Sequence, residues 1–161
     1  ANGLRKANQL EEAFDKSEAY LSLCRVLLQQ QNTPTAQRDL AKGLILGYLT
    51  RRTLSKTTKQ PDEIIELQRQ SKMLLEEATA LAEALHAGDP EDARSLELWA
   101  ETHYNMALLQ FDGQDYELAS ESAGALVAHV RREHARGVEN ERSIAILKAA
   151  VELQRICAER K

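Results

Sequence analysis

The side chains best suited to metal or nucleophilic chemistry are four histidines, His86, His103, His129 and His134, and two cysteines, Cys24 and Cys157. A di-metal site inside a helical bundle draws on two Glu-x-x-His motifs. The chain has one, Glu83-x-x-His86, near a predicted helix end, where an ordinary ion pair or helix-end contact is the expected reading. His129 and His134 are five residues apart and therefore do not share a helix face. No spacing commits to a Ser/His or Cys/His nucleophile. The segment "GDPED" at Gly88–Asp92 reads as a turn and cap, not as a phosphate-cradling glycine loop. The cysteines form no C-x-x-C pair, so a zinc site or a disulfide framework is not expected. Each lies in an apolar stretch, where a reduced cysteine behaves as a small hydrophobe. The expectation is a non-catalytic protein with no metal and no cofactor.

Any site must be held by helices. Hydrophobic residues make up 43% of the 161 positions, charged residues 29% and aromatics 4%. Ala, Leu, Glu, Gln and Arg dominate, and these are the strong helix formers. Five breaks carry Pro or Gly among polar residues: Gln29–Thr35, Thr57–Glu63, His86–Asp92, Phe111–Asp115 and His134–Asn140. They leave six predicted helices near 3–30, 35–57, 62–86, 90–111, 115–135 and 139–159. A helix of 20 residues is roughly 30 Å long, and short connections make neighbours antiparallel. The third segment has the clearest stripe, with Ile64, Leu67, Ser71, Leu74, Ala78, Leu81 and Leu85 at steps of three and four. Pro61, Asp62 and Glu63 suit its first turn. Asp89–Pro90 opens the fourth helix in the same way, and Gly88, Gly113 and Gly137 are the expected helix stops.

In the second segment Gly43 and Gly47 stand four apart on one face. Each costs about 1 kcal/mol relative to Ala in a helix interior, so close approach of a neighbouring helix is the expected compensation. Lys42, Arg51 and Arg52 argue against a membrane dimer motif there. No apolar run approaches the roughly 20 residues that span a bilayer, and membrane insertion is not expected. The opening "ANGLRK" lacks the apolar core of a signal peptide. It also lacks an initiating Met, which leaves open a segment of a longer protein. The formal charge is −4 with both signs interspersed, so nucleic acid, which demands clustered Lys and Arg, is not an expected partner. The unpaired cysteines and the lack of an N-x-S/T sequon point to a reducing compartment, and the expected setting is intracellular and cytoplasmic.

The stretch "AETHYNMALLQFDGQDYELASESA" at Ala100–Ala123 resembles a tetratricopeptide (TPR) repeat. It supplies Tyr104–Asn105, a small Ala107 in the middle of the first helix, the turn Gly113, then Tyr116 and Ala119. Ala107 and Ala119 are twelve apart, the separation at which the two helices of that family's hairpin cross closely. "LILGYL" at Leu44–Leu49 is a weaker echo. The resemblance implies an all-α chain of antiparallel hairpins stacked as a right-handed solenoid of about six helices, in one domain over 1–161. An up-down bundle is the alternative that periodicity leaves open. It also implies a concave face that binds another protein or peptide. The residues placed on that face are Glu101, Tyr104, Asn105, Leu108 and Asp112, with Ala41, Leu44, Tyr48, Arg51 and Arg52 from the second helix. Each has a plainer alternative: a packed tyrosine, a solvated asparagine, or arginines at a helix end that suits their charge. The basic run Arg131, Arg132 and Arg136 divides the same way, between an acidic partner and a solvated end. The runner-up function is a structural or self-associating segment without a groove; the wide apolar stripe of the first helix serves either reading.

Overall fold

The computed structural model describes the backbone of residues 2–160 and the side chains of residues 9–160. Among these residues there are six helices and no strand: α1 (Asn2–Gln30), α2 (Pro34–Thr57), α3 (Pro61–Gly88), α4 (Ala93–Asp112), α5 (Tyr116–Ala135) and α6 (Glu141–Ala158). The all-α class and the six segments follow the sequence pattern closely. The largest displacement is the start of α4. Pro90 sits in a turn, with Asp92 N–H donating to the Asp89 carbonyl over 3.3 Å. Asp92 is the N-cap, and its carboxylate accepts from the Arg94 amide and the Ser95 hydroxyl, each at 3.1 Å. An aspartate there satisfies an orphan amide and meets the positive helix end.

The α4–α5 turn departs from expectation in a second way. Gly113 has φ −75°, which any residue adopts, whereas Gln114 takes the left-handed conformation at φ 64°. The Asp115 amide closes the turn on the Gln110 carbonyl at 3.0 Å, the helix-ending bond that puts the preceding residue at positive φ. Gly137 does fill such a position, at φ 86°.

Contacts divide the chain into two compact units, residues 1–81 and 82–161, with the boundary inside α3. In the first unit α1 packs on α2. A Cβ on Gly47 would lie 3.1 Å from Leu74 Cδ1 of α3 and 3.7 Å from Leu21 of α1, while one on Gly43 would lie 3.5 Å from the Tyr20 ring. The two glycines therefore let α2 run close between its neighbours. Leu40, Ala41, Leu44, Ile45 and Tyr48 are buried along it. On α3, Leu67, Ser71 and Ala78 of the predicted stripe are buried, and Leu75 joins them.

In the second unit α4, α5 and α6 each pack on the other two. Ala107, Ala119 and Ala123 are fully buried in one cluster with Leu153 and Cys157. Leu96, Leu126, Val130 and Ile146 anchor a second cluster, and Tyr104 packs against both. Asn140 begins α6 with a reciprocal capping box to Ser143. Its Nδ2 also donates to the Ala93 carbonyl at 3.2 Å and to Glu97 at 2.9 Å, which ties the first turns of α4 and α6 together. No helix among the described residues is long and apolar enough to cross a membrane.

Candidate functional site

Inside the second unit three of the four histidines converge on Trp99. His103 stacks on the indole at 3.9 Å between centroids, and His129 lies 4.1 Å from it. His86, from the last turn of α3, meets His129 edge-on, with the two Nε2 atoms 3.0 Å apart. The contributing elements are α3, α4 and α5. Trp99 and His103 are one turn apart on α4 and so share a face.

The hydrogen bonds fix the tautomers. Arginine only donates, so Arg132, 2.6 Å from His129 Nδ1, holds that nitrogen bare. His129 therefore carries its proton on Nε2 and donates to His86 Nε2, and His86 carries its own on Nδ1. That Nδ1 is buried and has no protein partner. On the other side of the indole His103 Nδ1 donates to the Trp99 carbonyl at 2.9 Å, and its Nε2 stands 3.4 Å from the Glu83 carboxylate.

Burial, above all, holds His86 below the ordinary histidine value. Glu133 pulls the other way, and Arg136 and His103 add to the lowering. His129 is lowered first by burial, then by His86 and Arg132. Glu133 is itself buried and bound to Arg136 at 2.8 Å, while Arg136 reaches Glu91 at 2.6 Å. Of the basic run, Arg136 and, at 3.6 Å from Glu133, Arg132 are thus engaged by the chain's own acids. Among the described residues no group of three or more His, Cys, Asp or Glu side chains is arranged to hold a metal. The His86–His129 pair is a poor nucleus for one, because a metal-bound imidazole usually donates its other N–H to an acceptor, and here Arg132 occupies that position as a donor. His134 stands apart, 2.9 Å from the Ser143 hydroxyl.

The residues expected on a binding face fare unequally. Ala41, Leu44 and Tyr48 have no exposed surface, because α2 lies between α1 and α3; they offer nothing to a partner. Arg51 is also buried. It donates to Glu18 at 2.8 Å and Gln70 at 3.0 Å, and its guanidinium lies over the Phe14 ring at 5.0 Å. Its carboxylate comes from its own chain, not from a ligand. Asn105 is buried, and its Nδ2 donates to the Glu101 carbonyl at 2.9 Å instead of reaching outward. Arg52 is half-buried.

Four residues keep an outward aspect on α4. Glu101, Tyr104 and Leu108 are half-exposed and Asp112 is exposed, and Arg142 of α6 pairs with Glu101 at 3.0 Å. Tyr48, Arg51 and Arg52 belong to the first unit and these four to the second.

The histidine cluster was not foreseen, yet one signal pointed to it. The Ala107–Ala119 crossing sets an antiparallel register in which paired numbers sum to 226. That places Trp99 opposite Val127, within one turn of His129. Scans of protein-family models, of curated proteins and of solved structures each return no match to this chain.

Proposed function

We propose that this chain is a non-catalytic, TPR-like helical scaffold that binds another protein, through the outward face of α4 beside α6. The observation that carries the reading is the packing of α4. It contacts both the helix that follows it and the next but one, as the first helix of a repeat does when hairpins stack. On its outer side it keeps Tyr104 and Leu108 half-exposed between the Glu101–Arg142 pair and Asp112. A tyrosine with one apolar face and one polar tip, bordered by charge, is the composition of a protein-binding surface.

A second reading, a structural or self-associating segment, is favoured by a different surface. Tyr20, Leu23, Val26 and Leu27 are all exposed on α1, Leu23 at 55%. A row of large apolar side chains at helical spacing suits a further helix or a second copy.

A photo-reactive phenylalanine analogue placed at Tyr104, at Leu23, or at the exposed Glu117 as control separates the two. Cross-links to another protein from position 104 but not 117 support the scaffold. Cross-links between copies from position 23 support the second reading. Silence at 104 against every fraction tested, with the fold intact, refutes the α4 face.

A further inference from the structure

We propose that the His86–His129 pair is an acid-released latch: neutral, it fastens the last turn of α3 to α5 within the 82–161 unit, and protonation unfastens it.

The argument is a proton count. Three positions lie in a row: Arg132 against His129 Nδ1, His129 Nε2 against His86 Nε2, and the buried His86 Nδ1. The first junction needs a bare Nδ1, and the second needs one hydrogen shared between two nitrogens. Only one pair of neutral tautomers satisfies both. An added proton must enter at His129 Nδ1, which sets donor against Arg132, or at His86 Nε2, which sets donor against donor across 3.0 Å. Because Arg132 is 66% exposed, it can swing away, so the first proton displaces it. The second proton has no such exit, and it places two like charges in contact inside a partly dry site.

The surrounding charges do not rescue the cation. From α3 comes Glu83, which faces His103. From α4 come Trp99 and His103. From α5 and the residues after it come Arg132, Glu133 and Arg136, and from the α3–α4 loop Glu91. Glu133 is the one carboxylate that favours a charged His86, and it already accepts from Arg136.

Both imidazoles are held below their ordinary value, so the open state binds protons first. Stability is therefore complete above the open-state value of about 6.5 and is lost as pH falls through it toward the folded values. Two sites titrating together raise the opening constant by up to about a hundredfold per pH unit.

The test follows amide hydrogen exchange at residues 82–88 in the full chain from about pH 7.5 to about pH 5, bracketing the ordinary histidine value of about 6.5. Rates are corrected for intrinsic exchange. Acceleration below that value is expected for the native sequence and for His134→Gln, which leaves the cluster intact. The double variant His86→Gln, His129→Gln keeps a neutral amide pair with nothing to titrate, and it is expected to lose the acceleration. The same acceleration in the double variant, or none in the native chain, overturns the latch. Should the double variant fail to fold, imidazole nitrogen shifts of the native chain decide. Loss of the His129 Nε2–H and His86 Nδ1–H tautomers at the pH where exchange quickens supports the latch. A pair that still shares its hydrogen at about pH 5, below the ordinary histidine value, with only Arg132 displaced, overturns it.

Discussion

Arg51 was read from the sequence as a residue for a partner's carboxylate and stands in the structure as an internal brace. The two roles predict opposite results for its removal. The side chain is 8% exposed and its partner Glu18 41%. Arg51→Ala loses a charged hydrogen bond to a half-hydrated acid, about 1 kcal/mol, and a hydrogen bond to Gln70 worth about 1 kcal/mol. It also loses about 1 kcal/mol of contact with the Phe14 ring. The buried stem adds about 2 kcal/mol, and release from desolvating the guanidinium returns about 2 kcal/mol. The net expectation is a loss of about 3 kcal/mol. Arg51→Met keeps the stem and also avoids desolvating the guanidinium, so it should fall within about 1 kcal/mol of the native chain. Urea unfolding followed by far-ultraviolet circular dichroism measures both. The transition of the 1–81 unit should move to lower urea for Ala and stay near its place for Met. Equal, negligible shifts for both would refute the reasoning and return Arg51 to the surface as a cation available to others.

Other substitutions test the helix contacts. Gly43→Ala places its methyl in ordinary contact with Tyr20 and should stabilise by about 1 kcal/mol. Gly47→Ala meets Leu74 at 3.1 Å, so the same gain of about 1 kcal/mol should be largely cancelled; thermal melts of the two variants compare them. Gln114→Gly relieves a left-handed non-glycine residue and should raise stability by about 1 kcal/mol, whereas Gly113→Ala should change little; calorimetry of both tells which position carries the turn. Asn140→Ala removes a cap worth about 1 kcal/mol and two cross-helix hydrogen bonds of about 1 kcal/mol each, for a total of about 3 kcal/mol. Asn140→Ser, which keeps a capping oxygen and sets no charge against Glu97, should lose less, as read by denaturant unfolding of the 82–161 unit.

Most of the fold was legible because each helix signals its own ends. Pro61 opens α3, the break ending at Asn140 precedes α6, and the apolar stripe of α3 is continuous. What was illegible depended on which neighbour a face would meet. The α4 start slipped because Asp89–Pro90 and Asp92 are both plausible openings, and only the turn closed by Asp92 chooses between them. Gln114 was overlooked because the adjacent glycine offers the cheaper left-handed residue. Of the proposed binding face, the half on α2 was lost to burial except for Arg52: a helix flanked on both sides turns Tyr48 and Arg51 inward. The half on α4 kept Tyr104, Leu108 and Asp112 outward but turned Asn105 in. The histidine cluster joins positions up to 43 residues apart, a distance no local pattern reports.

The two cysteines, unremarkable as packing, give the chain a pair of clocks. Cys24 lies in the first unit and Cys157 in the second, and both are buried thiols. A thiol shut away from solvent reacts with a labelling reagent only when its surroundings open, so each modification rate measures the breathing of its own half. The same chain, unmodified, can therefore say whether its two units loosen together or in turn, and which of them an acid pulse or a bound partner quiets.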